Sequence, residues 1–338
     1  MQYRTLGKSG LKVSPLCLGT MMFGDRADAA ESARIFAHAR EVGVNFVDTA
    51  DVYAKGESER ITGDVVRPDR DHWILATKVA NPMGEGPNDR GLGRAYMTRA
   101  LDASLKRLGL DWIDIYYLHK DDTETPLAET LQAMGDFIRA GKVRYFALSN
   151  FRAWRIAEVM RLADSLGVPR PVCLQPYYNA MNRMPEVEVL PACCYYGLGV
   201  VPYSPLARGV LTGKYDLGAK PPEGSRAARE DKRLMQTEFR AESMQYAKRI
   251  AEHAKSRGIT AGEFAVAWLL ANEHVSSVLA GPRTLEQWQG YLGALAYKWS
   301  PEDEALADSL VKPGHPSTPG YSDPMYPFYG RTRAGNPV

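Results

Sequence analysis

Four side chains of complementary chemistry stand at or just beyond the ends of apolar runs. Asp48 closes VNFVD, Tyr53 follows it in DTADVY, Lys78 closes WILATK and His119 closes IDIYYLH. A free phenol, with a pKa near ~10, holds its proton too tightly for easy exchange at neutral pH. A nearby ammonium favours the phenolate and lowers that value. Lys78 would be that ammonium, Asp48 would keep it charged and in place, and His119 would orient a carbonyl oxygen or assist proton transfer. A tyrosine tuned in this way can protonate an alkoxide as it forms. The chemistry implied is carbonyl reduction, with hydride from a separate cofactor. Each residue also has a plainer reading: Asp48 as a helix cap, Lys78 as a solvated rim charge, His119 as a satisfied rim histidine, Tyr53 as core filler. The four do chemistry together only if the fold brings their runs side by side.

Eight apolar runs supply that fold. They are 16–19, 44–48, 73–78, 113–119, 143–150, 171–175, 199–204 and 276–281. Each is apolar on both faces, as in parallel strands buried on both sides. Helical spacing fills the stretches between them. Leu101, Leu105 and Leu108 fall at i, i+4, i+7, and Leu127, Leu131, Met134 and Ile138 extend the same rule. Pro126 suits the first turn of that second helix. Ile156, Val159, Met160 and Ala163 mark a helix over 152–166, ended by Gly167. Eight strand–helix alternations predict an α/β fold of the (β/α)8 TIM-barrel type, in which catalytic residues project from the C-terminal strand ends. An open sheet is the alternative, because alternation alone does not demonstrate closure.

Three segments exceed the eight units. Residues 2–13 read as a β-hairpin turning at Lys8-Ser9-Gly10, which would close the bottom of the barrel. Residues 205–242 form a long loop after the seventh strand, and 313–338 form a tail rich in Pro, Gly and aromatics. Both are expected over the barrel mouth, since long loops in compact domains are usually functional or disordered. The expectation is a single barrel domain over 1–338, of which about 280 residues belong to the barrel proper, close to the ~250 typical of the fold.

Composition narrows the function. Lys plus Arg exceed Asp plus Glu by 2, so no electrostatic footprint for nucleic acid exists. GxGxxG is missing: GLGRAY at 91–96 lacks the third glycine, and GKSG at 7–10 lacks the earlier glycine of a P-loop. A nicotinamide enzyme built from this chain would not be a Rossmann enzyme. Cys17, Cys173, Cys193 and Cys194 form no C-x-x-C pair, and no metal site is expected. Reduced thiols fit a cytoplasmic protein. The start MQYRTLGKSG has no apolar signal core, and the longest apolar candidate, 264–271, is far short of the ~18 residues of a membrane span.

At these residues the chain resembles the aldo-keto reductase family. The likeness runs through YRTLGKSGLKVSPLCLGTMMFG, NFVDTADVY, ATK at 76–78, ASLKRLGLDWIDIYYLH, GKVRYFALSN, LQPYYN, VPYSPLARGVLTGKY and VSSVLAGPRTLEQ, covering roughly 1–296. The resemblance implies a catalytic tetrad of Asp48, Tyr53, Lys78 and His119, with Tyr53 as proton donor, and NADP(H) extended across the barrel mouth. It assigns Gly19, Thr20 and Met21 to the cofactor wall and Ser149, Asn150 and Gln175 to the nicotinamide carboxamide. Tyr203 would stack on the nicotinamide ring. Ser204, Pro205, Leu206, Arg208, Gly209 and Lys214 would cover the pyrophosphate, and Arg226 would contact phosphate. Gly281, Arg283 and Gln287 would hold the adenosine 2′-phosphate, for which a forked guanidinium is suited. Gly290 and Tyr291 depart from the acidic residue and asparagine usual at the adenine.

The substrate would be a small carbonyl compound in an apolar pocket. The expected walls are Met22, Phe23, Tyr53, Asn81, His119 and Lys120, with Tyr326, Phe328 and Tyr329 from the tail. No membrane insertion is expected, and the oligomeric state is left open. The sequence is also similar to the voltage-gated potassium-channel beta subunits, through YRTLGKSGL and SPLARGVLTGKY. That likeness implies an alternative: a non-catalytic or weakly catalytic NADPH-binding accessory subunit. Those subunits lack a histidine at the place of His119, and some carry a long N-terminal extension. This chain keeps the histidine and is written from the hairpin onward, which favours the enzyme.

Overall fold

A computed structural model describes residues 1–326. The hairpin comes first, with β1 at Arg4–Thr5 antiparallel to β2 at Lys12–Val13. Eight parallel strands follow, one from each apolar run. They are β3 (Leu16–Gly19), β4 (Phe46–Asp48), β5 (Ile74–Val79), β6 (Ile113–Leu118), β7 (Val143–Ser149), β8 (Cys173–Gln175), β9 (Gly199–Val200) and β10 (Val278–Ala280). Their order is β10-β3-β4-β5-β6-β7-β8-β9. Ser276 N donates to Val200 O at 2.9 Å and Leu279 N to Pro202 O at 3.0 Å, which joins the first and last members and closes the barrel.

Helices α1 (Ala29–Glu41), α2 (Glu57–Val66), α3 (Arg94–Leu108), α4 (Leu127–Arg139), α5 (Ala153–Leu166) and α6 (Val189–Tyr196) follow the first six barrel strands in turn. The spacing of Leu101, Leu105 and Leu108 buries one face of α3, and that of Leu127, Leu131 and Met134 one face of α4. Gly167 ends α5 in the left-handed conformation, as expected of a helix C-terminus. Pro126 stands one position earlier than expected: it is the N-cap of α4, not its first-turn residue. Cys193 and Cys194 lie in α6 as free thiols, the first buried and the second exposed.

Two cores result from the period-2 alternation of the strands. Leu16, Leu18, Val47, Leu75, Tyr116 and Leu118 face outward into the helix layer. Cys17, Phe46, Ala76, Ile115, Tyr117, Ala147, Cys173 and Val201 fill the barrel interior, with Leu6 and Val13 of the hairpin closing its lower end. Gly7, at φ 57°, is where the hairpin meets the barrel wall: a Cβ there would lie 2.5 Å from Gly199 N.

After β9 the chain enters a loop with short helical turns at Ala207–Thr212 and Ala227–Arg229, then α7 (Lys232–Thr237). The helices α8 (Ala241–Ser256) and α9 (Ala261–Ala271) precede β10, and α10 (Leu285–Leu292) and α11 (Pro301–Leu310) follow it. The apolar run 264–271 lies in α9, with Phe264, Ala265, Val266, Ala267, Trp268 and Leu269 buried. No helix among the described residues is long and apolar enough to cross a membrane. The tail then returns over the mouth. Arg233 of α7 grips Asp323 through both guanidinium nitrogens, and Arg152 Nη2 donates to Tyr326 O at 2.7 Å. Phe328 and Tyr329 lie outside the described residues.

Candidate active site

The same alternation that fills the barrel with apolar side chains puts polar ones at its mouth. Two residues beyond an inward Phe46 comes Asp48; beyond Ala76, Lys78; beyond Tyr117, His119; beyond Ala147, Ser149; beyond Cys173, Gln175. Parallel register levels these ends, pairing Gly19 with Asp48, Lys78 with Tyr117 and Ser149 with Gln175. Tyr53 comes from a tight turn after β4, with Ala54 and Lys55 at positive φ immediately behind it.

Lys78 and Asp48 are fully buried and form an ion pair. The other Lys78 N–H groups reach Thr49 O at 2.8 Å and Tyr53 Oη at 3.1 Å. An ammonium has three donors, so all of them are committed. The second Asp48 oxygen accepts from Gln175 Nε2 at 3.0 Å. His119 faces Tyr53 edge-on with ring centroids 5.9 Å apart, and its Nδ1 lies 3.0 Å from Asn81 Nδ2.

Burial changes the expected electrostatics. Desolvation pulls Lys78 down, but Asp48 and Tyr53 outweigh it and hold the ammonium above its ordinary value. Tyr53 is raised above 10, because desolvation outweighs Lys78 and Asp48 adds to it. The sequence expectation of a lowered phenol pKa is therefore corrected: burial of the phenol, with a smaller contribution from Asp48, outweighs the pull of Lys78. His119 is pushed well below the usual imidazole range by burial and by Lys78 and Lys120. Tyr53 thus keeps its proton and His119 is neutral.

Above this group lies a cleft of about 760 Å³. Its floor carries Ser149, Asn150 and Gln175 in one network. Asn150 Nδ2 donates to Ser149 Oγ and to His119 O, and Ser149 Oγ donates to Gln175 O. Tyr203 donates to Asn150 Oδ1 at 2.9 Å and is stacked on Tyr177 at 5.5 Å, leaving its other face to the cleft. Gly19, Met21, Ser204, Pro205, Leu206 and Gly209 continue the wall. Arg208, Lys214, Arg226, Arg283, Gln287 and Gly281 line the cleft as well, and the cations are mutually close: Arg283 and Arg226 act on Lys214, and Arg208 on Arg226. Lys214 is lowered by burial and by Arg283, Arg226 and Arg229, the signature of crowded like charges. Such a cluster favours an anion of several charges, and the amide-rich floor under an aromatic plane favours a planar amide. The residues present fit a nicotinamide dinucleotide phosphate.

Two expected wall residues are elsewhere. Thr20 is buried beneath the wall, its hydroxyl spent on Asp48 O and Ser58 Oγ. Phe23 is wholly buried in the outer core, edge-on to Phe36, because strand β3 has ended and the chain turns back onto α1. Of the residues expected around a substrate, Met22, Asn81 and Tyr326 line the cleft, while Lys120 does not. Tyr291 lines it and is buried, its phenol pushed up to about 12, and Gly290 leaves open space beside it.

Sequence reasoning missed Arg229 and Arg233 of the insertion and Thr260, Ala261 and Gly262 at the start of α9. The Thr260–Glu263 capping box marks that helix start and was the available signal. Also hidden were strained backbones at the mouth. Ala80, Asn150, Ser204, Ala207 and Arg208 all have positive φ, and such strain clusters at functional sites.

The family model described as "Aldo/keto reductase family" matches residues 15–312. A "Probable voltage-gated potassium channel subunit beta" of Arabidopsis thaliana is 39% identical over 300 residues, covering 87% of this chain and 91% of that protein. The protein of the same description in Oryza sativa subsp. japonica is 38% identical, covering 83% and 87%. The "Uncharacterized oxidoreductase YrpG" of Bacillus subtilis is 35% identical over 334 residues, covering 95% of this chain and all of that one.

Proposed function

The chain belongs to the aldo/keto reductase family, and on that premise we propose that it is an NADPH-dependent reductase of aldehydes or ketones, with Tyr53 as proton donor. The observation that carries this reading is the saturation of Lys78. With all three N–H groups donated, one of them to Tyr53 Oη, the phenol oxygen is already an acceptor from below. Its own proton is left for an acceptor in the cleft.

Ser149, Asn150 and Gln175 would hold the nicotinamide carboxamide, and Tyr203 would present its free face to the ring. Arg208, Lys214 and Arg226 would meet the pyrophosphate, and Arg283 with Gln287 the 2′-phosphate. NADPH, when bound, supplies a hydride to the carbonyl carbon. Tyr53 donates a hydrogen bond to the carbonyl oxygen and passes its proton as negative charge develops there. Lys78 steadies the phenolate left behind, and Asp48 keeps Lys78 charged. His119, neutral, adds a second hydrogen bond to the same oxygen, in the manner of an oxyanion hole. Met21, Met22, Met325 and Tyr326 give the substrate side apolar, polarisable walls, suited to an aromatic or long aliphatic carbonyl compound. Four unpaired cysteines suit a reducing, cytoplasmic setting.

The second reading, an NADPH-binding accessory subunit, is favoured by the names of two relatives. The retained His119 and a pocket open above Tyr53 favour the enzyme. NADPH oxidation in the presence of 4-nitrobenzaldehyde tests the choice. Turnover is expected; tight NADPH binding without turnover across a broad carbonyl panel would support the accessory role.

A further inference from the structure

Asn81 has a specific relationship to the ring of His119. It stands three residues beyond Lys78, at the exit of β5, and its backbone is fixed from two sides. Tyr96 Oη donates to Asn81 O at 2.9 Å, and Gly91 N donates to Ala80 O at 2.9 Å. Ala80 is held at φ 142°, a conformation an L-residue keeps only when its surroundings impose it. So the amide is delivered to the ring by an ordered loop. Its Nδ2 lies 3.0 Å from His119 Nδ1.

An amide nitrogen can only donate, and a neutral imidazole has one donor and one acceptor nitrogen. Opposite Asn81 Nδ2, Nδ1 must be the acceptor. Lys78 and Lys120 both disfavour a second ring proton, and Tyr53, edge-on, is the other titratable group against the ring. The single proton therefore sits on Nε2. We propose that Asn81 is a positioning residue: it fixes His119 as the Nε2–H tautomer and so makes the ring a hydrogen-bond donor towards the substrate's carbonyl oxygen. The opposite tautomer would present a lone pair to that oxygen and repel it. This deepens the reductase reading and rests on it for the identity of the oxygen, though not for the tautomer.

The test combines nitrogen-15 histidine NMR with Asn81→Asp and Asn81→Ala. His119→Gln identifies the His119 signals among the six histidines. In the wild-type chain Nδ1 is expected at a pyridine-like shift and Nε2 at a pyrrole-like one. In Asn81→Asp a carboxylate accepts from Nδ1, so the proton moves there or a second one binds. Above the pH at which the ring is neutral and its one proton sits on Nδ1, that variant should lose about 10²-fold in kcat, the scale of one oxyanion donor. It should gain an ionisation in its pH–rate profile and bind NADPH as before. Asn81→Ala, which adds no charge, should lose less and show mixed tautomers. A pyrrole-like Nδ1 in the wild type overturns the proposal, as does an Asn81→Asp protein with wild-type shifts and pH profile. If the wild type turns over no carbonyl compound, the reductase reading fails, and the NMR result still decides the tautomer.

Discussion

Lys78 Nζ lies 3.1 Å from Tyr53 Oη and, being buried with Asp48, cannot turn to any other partner. The ammonium is a fixed donor to the phenol oxygen. Replacing Tyr53 by Phe removes the transferable proton and little else. General acid catalysis is worth roughly 10²–10⁴-fold, so Tyr53→Phe should lose at least that much reduction rate. NADPH binding, measured by fluorescence titration, should be nearly intact. A variant that keeps most of its turnover would show the proton comes from elsewhere.

The pH profile should follow from the same burial. Tyr53 is raised above its ordinary value and His119 is lowered well below its own. Neither changes charge in the middle range, so kcat for carbonyl reduction should show no limb near ~6.5, the ordinary imidazole value. A limb there that vanishes in His119→Gln would mean the imidazolium is the working form.

Asp51 should control stability. It is fully buried beside Tyr53's turn, and neither of its oxygens has a well-formed partner among the described residues. Burial, then Glu59, pushes its carboxyl from 3.8 up to about 7, against weaker pulls from the Val52 backbone N–H, Arg107 and Lys78. Between those values the folded chain holds a proton that the unfolded chain has released. Stability is therefore lost as pH rises from about 4 to about 7 and stays low above. An asparagine in its place would keep the shape without the charge: Asp51→Asn should be more stable than wild type at pH 8, by on the order of 3 kcal/mol. The gap should nearly close at pH 4. Urea unfolding at the two pH values measures it, and an equal gap at both rejects the assignment.

Much of this was legible because strands alternate. Asp48, Lys78 and His119 end runs whose inward members are Phe46, Ala76 and Tyr117, so their convergence follows from register alone. The apolar strands and the Leu-spaced helices were readable for the same reason. Phe23 was not: its neighbours Met21 and Met22 line the cleft, and only the turn after β3 decides which way each side chain goes. The raised phenol of Tyr53 was also hidden, because desolvation depends on how completely the barrel covers it. Asn81's link to His119 joins two loops 38 residues apart, with no local pattern to announce it.

The proposed cofactor site gives a selectivity prediction. Arg283 Nη1 reaches Gly224 O at 3.0 Å, and Gln287 Oε1 accepts from Arg283 N. The guanidinium lines the cleft close to Lys214, with a carbonyl rather than a carboxylate as its partner. A hydrogen bond to a charged group contributes about 1.5–3 kcal/mol. Arg283→Ala should weaken NADPH binding roughly 10–100-fold and leave NADH almost unchanged. Equal affinity of the wild type for NADPH and NADH would remove the 2′-phosphate role.

The proposed substrate wall depends on a second pair. Arg233 Nη1 and Nη2 meet the two Asp323 oxygens at 3.0 and 2.7 Å, with side chains only 19% and 9% exposed. Arg233 stands on α7, whose N-cap Asp231 also pairs with Arg226. One six-residue helix thus connects Arg226 to the tail that carries Met325 and Tyr326 into the cleft. A forked pair of this kind holds geometry as well as energy. Asp323→Ala frees the tail while leaving Asp48, Tyr53, Lys78 and His119 untouched. It should raise KM for the carbonyl substrate about 10-fold, the equivalent of ~1.4 kcal/mol, with kcat and NADPH affinity close to wild type. Asp323→Glu, which restores the charge, should recover part of the loss. If KM stays put while only the melting temperature falls, the pair holds the tail for stability and Tyr326 is no part of the substrate wall.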